Sequence, residues 1–244
     1  MTRLSVNVNK IALLRNARGP LAEPNLMALV HKIVGWGADG ITVHPRADRR
    51  HITPDDARDV AREVTSVETN FEGDVREEFL ELVLACRPTQ CTLVPVKPGE
   101  LTSNHGWECG QWGYLLTPVV AELHRAGVRT SIFVEPDAVA VERAAGTGTD
   151  RVELYTEPYA RAFREGNPGP EVRRIVAAAE AARRRGIALN AGHDLTTANL
   201  GMLLDAVPDI AEVSIGHHLV AQALEDGLER TVKQFLAICH RPRP

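Results

Sequence analysis

The chain has 244 residues, of which 44% are hydrophobic, and this size and composition suit a single α/β barrel domain spanning residues 1–244. Its formal net charge of −4 leaves no basic excess to neutralise a nucleic-acid backbone, which argues against general nucleic-acid binding. Because the N-terminus lacks a signal-peptide core and no stretch approaches the roughly 18 apolar residues that span a bilayer, we expect a cytoplasmic protein without membrane partners.

Short runs rich in β-branched residues recur along the whole chain, and no linker interrupts them. Such runs predict buried β-strands. The segments between them have helical spacing, for example the stripe formed by Leu116, Val120 and Leu123. Eight strands are predicted, in chain order at Leu4–Asn9, Gly40–His44, Glu68–Glu72, Gln90–Pro95, Arg129–Val134, Arg151–Thr156, Ile187–Gly192 and Glu212–His217.

Helix signals complete the alternation. Pro170 stands where a first-turn proline belongs, and Gly186 stands where that helix should end. Helical crossovers imply parallel strands, so eight such units predict an α/β fold of the closed (β/α)8 TIM-barrel type. A doubly wound open sheet is the alternative, but no glycine-rich dinucleotide fingerprint follows the first strand.

Reactive groups of such barrels lie at the C-terminal ends of the strands, where the following loops converge. Most of the unusual polar residues of this chain stand at those positions. They are Asn7, Asn9, Lys10, His44, Glu72, Glu153, His193 and His217. The sequence therefore predicts an active site at the C-terminal end of the barrel.

The segment after the second strand combines two histidines with three arginines. Arg46, Arg49 and Arg50 suit phosphate or carboxylate, and the acidic whole chain makes this a local site for a small anion. His44 and His193 could exchange protons near neutral pH if the barrel brings them together, although either histidine alone is more often structural. Glu72 is a candidate base, with a scaffold pair to an arginine as the alternative.

Two late segments place glycine and polar residues directly after a strand. Residues 190–194 and 214–218 are predicted to cradle a phosphate through backbone N–H groups, with Gly192 and Gly216 permitting close approach. The alternative is that these glycines only turn the chain. Arg18 could supply a second anion contact from the first loop. Residues 102–113 form a predicted glycine-rich lid, with a packed surface loop as the alternative.

Seven segments stand in a specific order and spacing from about Leu4 to the last helix: VNVNKIALLRNARG, GADGITVHPRADRRHIT, TNFE, CTLVP, RVELYTEPYA, LNAGHDL and EVSIGH. Together they resemble the pyridoxine 5′-phosphate synthase family. The resemblance implies a (β/α)8 barrel with additional helices that assembles as dimers and then as a homo-octamer. It implies a transferase-class ring closure in which 1-deoxy-D-xylulose 5-phosphate and 3-amino-2-oxopropyl phosphate give pyridoxine 5′-phosphate, phosphate and water.

The resemblance also implies roles for four residues. His44 and Glu72 would accept protons, His193 would donate one, and Glu153 would stabilise charge in a transition state. Such a reaction needs several successive proton transfers, which titratable groups with separated pKa values can share. No cofactor and no metal is implied, because the substrates supply their own imine as the electron sink.

The implied substrate contacts fall into two groups. Those on the phosphate of deoxyxylulose phosphate are Arg46, His51 and Thr102. Those on the aminoketone phosphate are Asn7, Arg18, Gly216 and His217. The chain departs from the family pattern at Asn9 and Lys10, where an Asp-His pair is common, and at Asp194, where glycine is common. Lys10 could still hold the anion as a point charge, whereas Asp194 should disfavour a nearby phosphate unless it faces away.

Three other functions remain open from the residues alone. Lys10 could form a Schiff base as in lysine-dependent aldolases. A phosphate sensor without turnover is a second alternative, although such a binder has no need of three proton-transfer groups. A metal site formed by His44, His51 and His193 is a third. The four cysteines lack the spacing of a zinc site, and we expect them to be reduced thiols without a catalytic role.

Overall fold

Eight parallel β-strands form a closed barrel in the computed structural model, which describes residues 1–19, 23–96 and 104–242. The strands are β1 (Arg3–Asn7), β2 (Gly40–Val43), β3 (Glu68–Gly73), β4 (Gln90–Leu93), β5 (Arg129–Val134), β6 (Arg151–Tyr155), β7 (Ala188–Gly192) and β8 (Ile210–Ile215). The first strand pairs with both β2 and β8, and Ser5 stands opposite Ser214 at the closure. The predicted (β/α)8 barrel is therefore confirmed, and the open-sheet alternative is wrong.

Helices alternate with the strands around the barrel, and several of the connections contain two of them. Within the described residues the helices are α1 (Asn9–Asn16), α2 (Leu26–Gly35), α3 (Pro54–Glu63), α4 (Glu77–Cys86), α5 (Cys109–Arg125), α6 (Ala138–Ala145), α7 (Glu157–Arg164), α8 (Gly169–Arg185), α9 (Leu200–Ala206), α10 (His217–Asp226) and α11 (Leu228–His240). The additional helices implied by the resemblance are thus present. None of the helices in this part of the chain is both long and apolar enough to cross a bilayer.

Local sequence signals explain several helix ends. Thr53 and Asp56 cap α3 reciprocally, and Pro54 occupies its first turn. Pro170 lies in the first turn of α8, and Gly186 ends that helix in the left-handed conformation with φ of 69°, as predicted. These signals set where the helices begin and end. The apolar faces of the helices cover the strands on the outside of the barrel.

The strands send alternate side chains to the two faces of the barrel wall. Leu4, Val6 and Ile41 are fully buried on the outer face, within the core shared with the helices. The opposite face carries polar side chains, including Ser5 and Thr42, whose hydroxyl oxygens lie 2.6 Å apart. The barrel interior is thus a hydrogen-bonded polar layer, and the apolar core lies between barrel and helices.

Several predicted boundaries are wrong. The fourth strand ends at Leu93 instead of Pro95, and the eighth strand is Ile210–Ile215 instead of Glu212–His217, because His217 begins α10. The first strand ends at Asn7 instead of Asn9, because Asn9 and Lys10 begin α1. The predicted lid at 102–113 contains the start of α5, whose N-cap residue Glu108 accepts a hydrogen bond from the backbone of Gly110. Trp107 packs against the core and its backbone N–H donates to the carbonyl of Phe133 at 2.8 Å, which favours the packed alternative for this residue. Residues 102 and 103 lie outside the described residues.

Candidate active site

A cavity of about 300 Å³ opens at the C-terminal ends of the strands, where the sequence predicted the site. Within the described residues, every predicted site residue except Arg18 lines it. The lining residues are Asn7, Asn9, Lys10, His44, Arg46, His51, Glu72, Glu153, His193, Asp194, Leu195, Ser214, Ile215, Gly216, His217 and His218. The barrel thus brings together side chains that are up to 211 positions apart in the sequence, counting from Asn7 to His218.

Glu72, near the end of β3, lies at the centre of the polar contacts. Its Oε1 accepts a hydrogen bond from the Ser214 hydroxyl at 3.1 Å, and its Oε2 accepts one from the Asn7 side-chain amide at 3.3 Å. The same Oε2 lies 3.7 Å from Nδ1 of His44. Within the described residues no arginine forms an ion pair with Glu72, so the scaffold alternative lacks its partner. A carboxylate held on both oxygens and facing an imidazole is well placed to accept a proton.

His44 follows β2 and is buried. Its backbone N–H donates to Oδ1 of Asn9 at 2.9 Å, so the Asn9 side chain supports the turn that carries the imidazole. Burial lowers the pKa of His44, and Glu72 partly opposes that shift. The ring is therefore neutral at physiological pH. Its Nε2 is buried without a hydrogen-bond partner among the described residues, which leaves this atom to a ligand of the cavity.

His193 follows β7 in a left-handed backbone conformation, with φ of 70°, which is uncommon for a residue other than glycine. The hydroxyl of Thr156 donates to the carbonyls of Gly192 and His193 and holds this turn. Burial lowers the pKa of His193, so this imidazole is also neutral until the reaction supplies a proton. Phe133 packs against the ring with a centroid distance of 4.9 Å and fixes its orientation.

Glu153, on β6, is a buried carboxyl group of a different kind. Its Oε2 has no hydrogen-bond partner within the described ranges. Burial raises its pKa well above the ordinary value, and the charges of Glu72 and Glu212 add to this shift. Gly192 makes room for it, since a Cβ atom at that position would lie 2.2 Å from Oε1 of Glu153. Burial and these neighbouring charges favour the protonated form of Glu153, which lies beside the carboxylate of Glu72.

Lys10 and Arg46 place positive charge on one side of the cavity, next to His51. Burial lowers the pKa of Lys10, and Arg50 and Arg46 lower it further. Burial, with Lys10 and Arg50, lowers the pKa of His51 to about 4, so this imidazole is neutral at physiological pH. An anion such as phosphate would relieve the repulsion between Lys10 and the arginines. Asn16 fixes the segment, because its amide donates to the carbonyls of Arg50 at 3.0 Å and His51 at 2.7 Å.

The second predicted anion region lies where β8 leads into α10. Gly216 precedes the helix, and a Cβ atom there would lie 3.1 Å from the Asn7 side chain. Asp194 lines the same region, and its Oδ1 lies 3.0 Å from Nε2 of His218. The two glycines therefore do more than turn the chain, but the atoms they make room for belong to neighbouring side chains.

Several predicted contacts lie elsewhere. Arg18 is exposed near the end of α1 and does not line the cavity, and Thr102 lies outside the described residues. Arg49 is exposed, whereas Arg50 forms an ion pair with Asp48 at 3.3 Å. Within the described ranges no group of three or more His, Cys, Asp or Glu side chains could hold a metal ion, and this includes the alternative of His44, His51 and His193.

The sequence interpretation included Ser214 and His218 in the predicted segment 214–218 but gave neither side chain a role, and both line the cavity. Strand alternation offered a signal for the Ser214 side chain, because it shares the inward face of β8 with Glu212. No pattern in the sequence pointed to the contact of His218 with Asp194. Its partner is 24 positions away, and the two meet only because β7 and β8 are neighbours.

The comparisons with known proteins agree with this geometry. Residues 4–241 match the model of the family described as "Pyridoxal phosphate biosynthesis protein PdxJ". The chain belongs to this family. A PdxJ relative named pyridoxine 5′-phosphate synthase, from Bacteroides fragilis, is 51% identical over 235 residues, which cover 96% of this chain and 98% of the relative. A relative of the same name from Christiangramia forsetii is 46% identical over 238 residues, which cover 98% of this chain and 99% of that relative. The resemblance found in the sequence is confirmed.

Solved structures share the barrel at much lower identity. Phosphoribosyl anthranilate isomerase from Thermotoga maritima matches with a TM-score of 0.59 and 15% identity, over 98% of both chains. The 3-keto-L-gulonate-6-phosphate decarboxylase from Vibrio cholerae matches with a TM-score of 0.64 and 9% identity, over 96% of this chain and 98% of that one. At such identities these two structures support the fold alone.

Proposed function

We propose that the protein is a pyridoxine 5′-phosphate synthase that condenses 1-deoxy-D-xylulose 5-phosphate with 3-amino-2-oxopropyl phosphate. The products are pyridoxine 5′-phosphate, phosphate and water. Membership of the PdxJ family supports this activity. The structural observation that carries the proposal is the convergence of a held carboxylate, two neutral imidazoles and a buried neutral acid in one cavity.

These groups match the proton transfers that the chemistry requires. The amine must add to a ketone, water and phosphate must leave, and a carbanion-like carbon must close the ring. His44 and Glu72 accept protons, with the amide of Asn7 and the hydroxyl of Ser214 holding the Glu72 carboxylate in place. His193, whose lowered pKa makes it a strong acid once protonated, returns a proton to a leaving group. Glu153 supplies a neutral O–H to charge that develops near Glu72.

The two phosphates occupy different parts of the cavity. Arg46 and Lys10 take the phosphate of deoxyxylulose phosphate, since an anion relieves the repulsion that lowers the pKa of Lys10, and the neutral His51 adds a hydrogen bond. Gly216, His217 and Asn7 take the aminoketone phosphate at the start of α10. Asn9, which the departure from the family pattern put in question, supports the His44 backbone in this chain. Arg18 and Thr102 stay predictions.

The test is to mix the purified protein with both substrates and to detect pyridoxine 5′-phosphate by absorbance and by mass. Each substrate alone serves as the control for background signal, and the Glu72→Gln variant serves as the control for a contaminating activity. Product that requires both substrates and the intact carboxylate supports the proposal. A folded protein that forms no product would contradict it.

One observation favours a second candidate, a Schiff-base enzyme. Lys10 lines the cavity and burial lowers its pKa, which increases the fraction of free amine. Borohydride reduction in the presence of either ketone substrate separates the two functions. A reduced adduct at Lys10 without pyridoxine 5′-phosphate would favour the aldolase-like function, whereas product without an adduct favours the synthase.

The proposal includes a homo-oligomer, dimers assembling to an octamer, in the cytoplasm. Large apolar side chains on the surface support an assembly, since Tyr114 is 74% and Leu224 is 78% exposed. Buried reduced thiols such as Cys91 suit a reducing compartment. Light scattering on the purified protein checks the assembly, and a monomer at micromolar concentration would contradict it.

A further inference from the structure

The cavity contains a carboxylate that the proposed reaction does not need. Asp194 follows His193 in the same left-handed turn, with φ of 55°, a conformation that aspartate tolerates better than most residues other than glycine. The side chain is one-third exposed and lines the cavity. Its backbone carbonyl accepts a hydrogen bond from the Asn199 amide at 3.2 Å, which helps to hold the turn.

The position of this carboxylate conflicts with the binding of a phosphate. Oδ1 of Asp194 reaches the first turn of α10, next to Gly216 and His217, where the proposed function places the aminoketone phosphate. Like charges placed side by side are costly in a partly desolvated site. The negative charge must be offset locally for the phosphate to bind.

His218 is in a position to offset it. It is the second residue of α10, and its Nε2 lies 3.0 Å from Oδ1 of Asp194. The hydrogen bond from His218 is the main reason that the pKa of Asp194 lies below its usual range. Other charged or titratable groups lie near the pair: His193 on the same turn, Tyr155 on β6, Arg164 on α7 and His217 on α10, whereas Lys10 on α1 acts on His217. Arg164 forms an ion pair with Glu157 at 3.9 Å. Within the described residues, only His218 has a hydrogen bond to the Asp194 side chain.

We propose that His218 is a positioning residue that neutralises the Asp194 carboxylate and thereby allows the aminoketone phosphate to bind at the start of α10. The inference rests on the proposed function and deepens it by assigning a role to a residue that binds no reacting atom. It also explains how this chain accommodates an acid at a position where glycine is common in the family pattern. Substrate affinity at this subsite then depends on the pair, because either member alone leaves a charge without its partner.

The experiment compares steady-state kinetics of the wild type, His218→Ala, Asp194→Asn and the double variant, with each substrate varied at saturating concentrations of the other. In His218→Ala the KM for 3-amino-2-oxopropyl phosphate rises about tenfold, because the carboxylate faces the phosphate unpaired. The KM for 1-deoxy-D-xylulose 5-phosphate changes less than about twofold, since its anion site lies on the side of Arg46. In the double variant the KM for the aminoketone returns to within about threefold of the wild type, because the repelling charge is gone.

A matched control is available on the outer helices. His31 and Glu63 form a pair with the same 3.0 Å separation, away from the cavity. His31→Ala should leave both KM values at the wild-type level. Thermal melts check that every variant is folded. If His218→Ala does not fold, His218→Gln removes the imidazole and keeps a donor of similar size, and a rise in the aminoketone KM of at least about threefold is expected.

The outcomes separate the inference from the proposed function. A wild-type protein that forms no pyridoxine 5′-phosphate overturns both. An active wild type with an unchanged aminoketone KM in His218→Ala overturns the inference alone. A double variant that stays as weak as His218→Ala also overturns it, because His218 would then bind the phosphate directly. Recovery in the double variant supports neutralisation, since a merely structural loss would not be repaired by a second substitution.

Discussion

The two ends of the barrel contain similar buried side chains that differ in whether they have hydrogen-bond and ion-pair partners. Glu153, towards the C-terminal end, and Glu212, towards the N-terminal end, are both buried glutamates whose pKa values burial raises. Glu212 lies 3.7 Å from Arg151 and accepts hydrogen bonds from Gln90 at 3.4 Å and Asn190 at 3.5 Å. Glu153 has no partner for its Oε2 in the described part of the chain.

Other polar groups repeat this contrast. Near the N-terminal end, Glu68 is bound by both Arg3 and Arg129. At the C-terminal end, His44 and His193 each keep a buried ring nitrogen without a partner among the described residues. Buried polar atoms that lack a partner are costly to keep, so their concentration in the cavity indicates a ligand that completes them. The polar groups near the N-terminal end are paired with each other, whereas several of those in the cavity have atoms free to contact a ligand.

The largest expected effect is on activity, at the C-terminal end. Glu72→Gln keeps the size of the side chain and removes the proton acceptor, so product formation should fall by about a thousandfold or more. The free energy of unfolding should fall by only about 1 kcal/mol, since the carbonyl oxygen of the amide still accepts one of the two hydrogen bonds from Ser214 and Asn7. Enzyme kinetics and denaturant unfolding measure the two quantities. Near-normal turnover in a folded variant would remove Glu72 from the mechanism.

At the N-terminal end the expected effect is on stability. Arg151→Met leaves Glu212 buried without its nearest cation, which should lower the free energy of unfolding by about 3 kcal/mol. Chemical denaturation followed by circular dichroism measures the loss. Arg3→Ala is the control, because this arginine is one-third exposed and its ion pair should contribute less than about 1 kcal/mol. Equal losses in the two variants would mean that burial does not distinguish these pairs.

A smaller effect is expected for the anion site. Arg46→Ala removes a charge-assisted contact and should weaken the binding of deoxyxylulose phosphate by about 2 kcal/mol, which is visible as a raised KM. Arg49→Ala is the matched control, because the Arg49 side chain is exposed and does not line the cavity. An unchanged KM in Arg46→Ala would show that this arginine is not a ligand.

The smallest effect concerns the support of the proton acceptor. Ser214→Ala removes the hydrogen bond to Oε1 of Glu72, so kcat should fall about tenfold, equivalent to about 1.4 kcal/mol, with little change in either KM. Ser214→Thr keeps the hydroxyl and should recover part of the loss. A wild-type kcat in Ser214→Ala would mean that Asn7 alone holds the carboxylate.

The sequence predicted the architecture because its strands are short, β-branched and regularly spaced, and parallel strands joined by helices bring their C-terminal ends together. This logic placed His44, Glu72, Glu153 and His193 in one cavity before their distances were known. It failed at Asn9, at residues 109–113 and at His217, where helices begin. The backbone N–H groups of Asn9 and Gly110 donate to the side chains of Asn7 and Glu108, and hydrophobic period does not reveal such bonds. Boundaries of this kind are set by single hydrogen bonds, which composition does not reveal.

The sequence also did not predict the protonation states and the partners of the charged side chains in the cavity. That Glu153 is a neutral acid depends on its lack of partners and on nearby charges from two other strands. That Asp194 is offset by His218 depends on the adjacency of β7 and β8. Such properties arise from three-dimensional neighbours, so a residue type at a strand end indicates a site but leaves its protonation state open.

Gly192 has a consequence for how this enzyme can change over time. Because a methyl group there would overlap the Glu153 carboxyl group, an alanine at 192 requires that carboxyl group to move. Either a shifted Glu153 side chain or a shorter acid at 153 would withdraw the carboxyl group from its neighbour Glu72. A substitution at position 192 therefore acts on the reactive centre, although glycine itself has no side chain to react.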